Sequence, residues 1–355
     1  MDRIEELLKE LTEAFGISGY ESDVAEIMAK RLKQYGEVSY DKLGSVICKK
    51  LGESESPKVM IAAHMDEVGF MVERITKNGY IKFLPLGGWW SHTILGQRVI
   101  VCTSKSDVVG VVGAKPVHLL KEEEKKKILP IEDMYIDVGA TSDFDIKEKL
   151  GIKPGDPVIP YSPFTVMKNS KLYLSKAWDD RVGCGLLVEI LKNLSKVKHP
   201  NTVYGVGTVQ EEVGLRGAQT SGMAVEPDIA FALDVSICKD TPGNEEEAEE
   251  KLGAGASILV YDRTMIPNLR LRDLVVEIAE KGGMKYHFGT VKGGYDTGRI
   301  HLIRSGVPSL VIGVPTRYIH SHSGIISRDD FNSIVNLIVE VIKRLNKKTV
   351  AKLTM

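Results

Sequence analysis

Residues 206–217 read VGTVQEEVGLRG. An apolar run ends in two adjacent glutamates, Glu211 and Glu212. Successive side chains on an extended chain point to opposite faces, so the two carboxylates leave the strand in different directions and do not share one surface role. The same ending recurs elsewhere. VMIAA runs into His64-Met65-Asp66, IAFAL into Asp234, and SLVIGVPTRYI into His320. A further acidic pair, Asp179-Asp180, stands in KAWDDRVGCG at the entry to a helix. Uninterrupted apolar strands such as Val59 to Ala63 are buried on both faces, and in open α/β sheets sites form beyond the carboxyl ends of the strands.

The surrounding texture gives the layout. Apolar residues at Ile4, Leu7, Leu8, Leu11 and Phe15 have helical spacing, and the pattern predicts helices near 2–15 and 22–35. From about 70 to 170 this periodicity fades into short strand-like pieces: GFMVERI, GYIKFLPLGG, QRVIVCT, DVVGVVGA, MYIDVGA and DPVIPYS. They predict a small all-β module, interrupted at 121–127 by KEEEKKK, read as a solvated segment. Strand and helix alternate again afterwards. Residues 180–196 are helical, TVYGVGTV, DIAFALDVS and SLVIGVP are strands, and LRDLVVEIAEKGG is a helix with a glycine C-cap. The last helix starts at SRDD, where Ser327 and Asp330 have capping-box spacing. The fold class is therefore α/β, a mixed sheet flanked by helices, with an inserted small all-β domain. Residues 1–68 and 168–355 form the α/β part and 69–167 the insert.

Composition excludes several classes. The 355 residues are 43% hydrophobic and 27% charged, with a formal net charge of -1, which argues against a dedicated nucleic-acid binder. No apolar run reaches the roughly 18 residues of a membrane span. The amphipathic N-terminus is unlike a signal peptide, so cytoplasm is the expected location. Cys48, Cys102, Cys184 and Cys238 lack paired spacing and read as reduced thiols. No phosphate-loop spacing follows a strand.

Two histidines and several carboxylates delivered to one sheet edge make a ligand set for a pair of divalent ions such as Zn²⁺ or Co²⁺. Each piece alone has a bland reading. A lone strand-end histidine more often packs or faces solvent, a Glu-Glu pair is usually a solvated turn, and Asp-Asp before a helix is usually an N-cap. Five such pieces at equivalent topological positions favour the metal reading. Asp66, two residues after His64, returns to the same side of the chain and is placed to accept the imidazole's second N–H. Two ions without a redox role point to hydrolysis by an acidified water, and that water needs a base that is not a ligand. The two glutamates divide these tasks; alternation alone does not say which does which.

Together AAHMDEVGF, KAWDDRVG, QEEVGLRGA, ALDVS, GGYDTGRIHLIRSGVPS and RYIHSHSG resemble, in order along nearly the whole chain, the tetrahedral (TET) dinuclear metallo-aminopeptidases. That family includes glutamyl and deblocking aminopeptidases and is related to endoglucanase-like peptidases. The resemblance implies a zinc-peptidase-like catalytic domain holding two divalent ions per subunit, zinc or cobalt, with manganese as a further choice. It makes His64, Glu212, Asp234 and His320 ligands, Asp179 the bridge between the ions, Glu211 the general base and Asp66 the partner of His64. It implies a cis bond between Asp179 and Asp180. It implies that the insert dimerises the chain and that six dimers form a hollow dodecamer acting on short peptides, with no nucleic acid or membrane partner.

Two places depart from the expected pattern. Gly293-Gly294-Tyr295-Asp296-Thr297 stands where relatives read GGTDA, which makes Tyr295 and Asp296 candidate substrate contacts. His322 follows His320 where proline is common, and is read as a neighbour of the site. His92, His118, His199, His287 and His301 are read as structural or surface residues. Trp89 and Trp90 are read as module packing or interface, with interface favoured. Rival readings are a dinuclear carboxypeptidase or deacylase, a glycoside hydrolase, whose carboxylate pair needs no metal, and a non-catalytic scaffold. The preferred first residue stays open among leucine, methionine, glutamate and lysine, with a neutral side chain favoured.

Overall fold

The computed structural model describes residues 1–243 and 249–353. Its centre is four parallel strands, in the spatial order Thr202–Thr208, Lys58–His64, Ile229–Ile237 and Ser309–Arg317. Residues on these strands alternate between two cores. Val59, Ile61 and Ala63 face one cluster and Met60 and Ala62 another. Ile229, Phe231 and Leu233 likewise join the first cluster while Ala230 and Ala232 turn away. This is the two-residue period of a sheet covered on both sides. Parallel direction brings all four carboxyl ends to one edge, with Thr208 beside His64 and Asp234 beside Gly313.

Helices Arg3–Glu13, Trp178–Leu194 and Arg328–Arg344 supply the first core, through Leu7, Leu8, Leu11, Leu187, Leu191, Phe331 and Ile338. The opposite face packs on Arg216–Val225 and Thr297–Ile300. Antiparallel strands Glu37–Tyr40, Val46–Lys50, Gly324–Ser327, Leu172–Ser175 and Thr165–Val166 extend the sheet. Ala256–Tyr261 and Tyr286–Thr290 pair beside Ser309–Arg317; neither stands out in the sequence pattern.

The second unit is a closed, all-antiparallel barrel. Its strands are Gly69–Ile75, Tyr80–Leu86, Tyr135–Asp137, Val108–Gly113, Arg98–Val101 and Pro157–Pro160, around Phe70, Phe83, Val99, Val101, Val112, Ile136 and Val158. Closure removes the free edges that such short strands would otherwise expose. Thr165–Val166 falls inside the 69–167 span that the sequence pattern assigns to the β module, yet it pairs in the large sheet. The charged run contains one exposed helical turn, Glu122–Lys125.

The capping box expected at Ser327 does not close. Ser327 accepts the Asp330 N–H at 3.4 Å, but the Asp330 carboxylate accepts the Gly253 and Gly255 N–H groups at 2.7 and 2.8 Å. A long-range acceptor role replaces the local one. The box forms instead at the first helix, between Asp2 and Glu5.

Candidate metal centre

His64 is the last residue of its strand, and the chain turns at once through Met65 and Asp66. On the neighbouring strand, Gln210 takes a left-handed backbone (φ 55) and turns Glu211 and Glu212 across the sheet edge. The buried Asp66 carboxylate pins this turn, accepting the Glu211 N–H at 2.9 Å and the Glu212 N–H at 3.1 Å, together with the Ser18 hydroxyl at 2.6 Å. Burial pushes the Asp66 carboxyl up, but His64 and these hydrogen bonds outweigh it, and its pKa is lowered.

Both imidazoles are held from behind. His64 Nδ1 lies 3.0 Å from the Asp66 carbonyl oxygen and 3.4 Å from its carboxylate. The expected His64–Asp66 contact thus runs chiefly through the main chain, because the carboxylate is occupied by the glutamate turn. His320 Nδ1 lies 2.8 Å from the Gly88 carbonyl oxygen. A carbonyl accepts only, so each Nδ1 carries an N–H, which leaves Nε2 as the atom that would bind a metal in place of a proton. The two Nε2 atoms meet opposite oxygens of one carboxylate: His64 is 3.0 Å from Asp179 Oδ1 and His320 is 3.2 Å from Asp179 Oδ2. Asp234 and Glu211 come within 3.8 and 3.9 Å of His64, and Glu212 within 3.4 Å of His320.

Asp179 owes its place to a kink at the start of the helix Trp178–Leu194, where the Asp179–Asp180 peptide bond is cis. Its neighbour does different work. Asp180 offers a carboxylate oxygen within 4.8 Å of donor atoms of His64 and Asp234, but its carboxylate accepts the His64 backbone N–H at 3.1 Å and the Gly183 N–H at 3.0 Å. The bland N-cap reading of Asp-Asp therefore describes Asp180, while Asp179 faces the imidazoles.

The donors fit a pair of cations. Asp179, Glu212 and His320 form one group within 4.8 Å, and His64 forms others with Glu211 and Glu212 and with Asp234. Glu212 Oε1 is buried without a hydrogen-bond partner. Carboxylates outnumber imidazoles, and the charge state shows the strain. Burial pushes Glu211 and Asp234 well above the carboxylate range and Glu212 up to about 8, with acidic neighbours adding to it. Burial also disfavours charged His320, but Glu212 and Asp179 outweigh it and raise that imidazole to about 10. Asp179 runs the other way, held low against burial by both histidines. Two divalent ions would replace these protons, and imidazole with carboxylate suits zinc-like metals.

A cavity of about 720 Å³ opens over the centre. Tyr295 lines it, with its hydroxyl donating to the Val235 carbonyl at 3.0 Å. Asp296 is not among the lining residues; it is buried beside the Thr208 hydroxyl, which it accepts at 2.5 Å. Beyond the candidate ligands and Glu211, the charged groups lining the cavity are all basic, Arg263, Lys292 and Arg299, and none has an ion pair among the described residues. Sequence reading missed these three: Arg263 and Lys292 sit outside the regular elements and Arg299 in the four-residue helix Thr297–Ile300, too short to show a periodic signal.

His322 packs 5.5 Å from the Trp89 ring, and burial pushes its imidazole down to about 4. His301 bonds the Thr297 carbonyl, His199 pairs with Asn201, and His92 lies against Trp90. Among the described residues none of these histidines, nor His118 or His287, joins a donor group. Trp89 packs on the barrel core, stacked 4.7 Å from Phe70, while Trp90 is exposed.

The model of the M42 glutamyl aminopeptidase family matches residues 44–337. The chain belongs to that family. The glutamyl aminopeptidase of Lactococcus lactis is 37% identical, covering 98% of both chains. The TET aminopeptidase structure from the marine sediment archaeon Thaumarchaeota archaeon SCGC AB-539-E09 superposes with a TM-score of 0.96 at 46% identity, over 99% of this chain and 100% of that one. The TET1 peptidase of Pyrococcus horikoshii, described as assembling into a tetrahedron or a large octahedral shell, matches with a TM-score of 0.85 at 33% identity, over 96% and 100%. This M42 chain is an aminopeptidase of a metal-dependent family. Among its described residues no helix is long and apolar enough to cross a membrane.

Proposed function

We propose that this M42 aminopeptidase removes acidic residues from the N-termini of short peptides, with zinc or cobalt, or else manganese, held by His64, Asp179, Glu212, Asp234 and His320. The observation that carries the metal reading is the Asp179 carboxylate set between two Nε2 atoms, 3.0 and 3.2 Å away. Bound ions supply Lewis acidity toward the scissile carbonyl. The chain supplies the rest. Glu211 faces the cavity, has no hydrogen-bond donor within reach among the described residues, and takes the proton of the attacking water before returning it to the leaving amine. Asp66 sets the direction of Glu211 by holding its N–H. Tyr295 and the apolar wall of Leu215, Val235 and Ile319 shape the pocket. Asp296 does not line the pocket; it is buried and holds the Thr208 hydroxyl.

The three unpaired cations favour a negatively charged side chain over the neutral one that the sequence suggested, because a carboxylate entering there is neutralised without displacing an existing partner. The module of residues 69–167 dimerises the chain, and the dimers build a tetrahedral dodecamer, as the TET relatives suggest. Four free cysteines are consistent with a reducing cytoplasm.

A panel of aminoacyl-p-nitroanilides, run with added zinc, cobalt or manganese and with a chelator, tests this reading. Glutamyl and aspartyl substrates should be cleaved fastest and the chelator should abolish release. No release from any aminoacyl substrate would refute the peptidase assignment; faster leucyl or lysyl turnover would refute the acidic preference alone.

A further inference from the structure

We propose that the barrel module supplies part of the metal centre: the turn Gly87-Gly88-Trp89, through the Gly88 carbonyl, positions His320 for the ion held with Asp179 and Glu212. The inference rests on the dinuclear reading above. The two imidazoles differ in their support. His64 is 2% exposed, and its backing carbonyl, on Asp66, lies two residues away in the same chain segment. The His320 side chain is 36% exposed and stands on a left-handed residue (φ 52) in a loop. The carbonyl behind it comes from Gly88, 232 residues earlier, just past a barrel strand.

The fit of this turn is tight. A Cβ on Gly88 would lie 3.1 Å from His320 Nδ1 and 3.4 Å from its Cε1. A Cβ on Gly87 would lie 3.2 Å from Glu212 Oε2 and 2.6 Å from Val68 Cγ1, and the φ of Gly87 is +81. Two successive glycines therefore press against two of the three donors of one half-site. The barrel core holds them there. Trp89 stacks on Phe70, which meets Phe83 edge-on at 5.0 Å, and the Trp89 Nε1–H donates to the Gly69 carbonyl at 3.1 Å. The His322 ring lies 5.5 Å from that of Trp89, tilted by 58°. The ring orientation of His320 is thus set by barrel packing, whereas the His64 half-site is assembled within the α/β domain.

The test is titration of the chelator-stripped full chain with Co²⁺, followed by calorimetry and visible absorption. The unsubstituted chain should take up two equivalents. Gly88→Ala should weaken one equivalent by about 10- to 100-fold, the range for loss of a ligand's outer partner, change that ion's visible band, and leave the other equivalent within about threefold. Trp89→Phe keeps the ring over Phe70 but lacks the N–H; it should weaken the same equivalent by a smaller factor, and it carries the test alone if Gly88→Ala does not fold. Equal weakening of both equivalents, or of neither, overturns the positioning role. Fewer than two equivalents in the unsubstituted chain overturns the dinuclear reading itself.

Discussion

Replacing Arg181 with methionine should cost this fold on the order of 5 kcal/mol, although Arg181 touches no candidate ligand side chain. Its side chain is fully buried and donates to four carbonyls: Met65 at 2.8 Å, Leu11 at 2.6 Å, Ala14 at 3.1 Å and Gly16 at 2.9 Å. It also lies 3.3 Å from Glu67, which Lys176 contacts at 2.5 Å. These bonds tie the end of the first helix, whose last carbonyls lack helical partners, to the turn between His64 and Asp66. Methionine fills similar volume but donates nothing. The Gly16 carbonyl keeps the Glu67 N–H and the Ala14 carbonyl keeps a 3.5 Å contact with Lys176, so the main losses fall at Met65 and Leu11. Each loses a bond to a charged donor, about 1.5–3 kcal/mol apiece. Glu67 keeps Lys176 as its cation, so the loss of its longer contact with Arg181 adds less than the full cost of a broken buried pair. The assay is urea unfolding of the metal-free chain by circular dichroism at fixed protein concentration, beside a Co²⁺ titration, since the Met65 carbonyl separates two residues of the site. A loss below about 1.5 kcal/mol would refute the view that Arg181 clamps the helix to the site.

Glu211→Gln should retain the metals and lose about 10²–10⁴-fold in kcat; full turnover in this variant would overturn its assignment as the base. Asp179→Asn should lower bound metal, and unchanged stoichiometry by elemental analysis would count against a bridging role. Burial lowers the imidazole pKa of His199 and of His287. The unfolded chain therefore takes up these protons first: stability is full above the ordinary value near 6.5 and is lost as pH falls below it. A urea midpoint measured against pH should show that fall, and His287→Phe should reduce it; an unchanged slope would exclude His287 as a contributor.

How much of this was legible beforehand depended on distance along the chain. The parallel core could be read because burial on both faces writes continuous apolar runs, and Val59 to Ala63 is one of them. The all-β module could be read because its strands are short and bounded by turns; that it closes into a barrel could not. Side strands such as Tyr286–Thr290 escaped, since their mixed polarity resembles loop sequence. Asp330 was misread as a local cap because spacing cannot reveal that Gly253 and Gly255 compete for its carboxylate.

The amino-acid sequence alone determined which ionisable groups end each strand, and parallel pairing then carried them to one edge. Only the folded chain decided how they face one another. The Asp66 carboxylate went to the Glu211 and Glu212 amides, and the Gly88 carbonyl took His320 across 232 residues. Arg181 joined a helix end to the His64 turn, and three cations from separate segments met around one cavity. Strand periodicity is local and leaves a trace in neighbouring residues. Contacts between distant segments depend on the packing of whole elements, and no short stretch of chain records them.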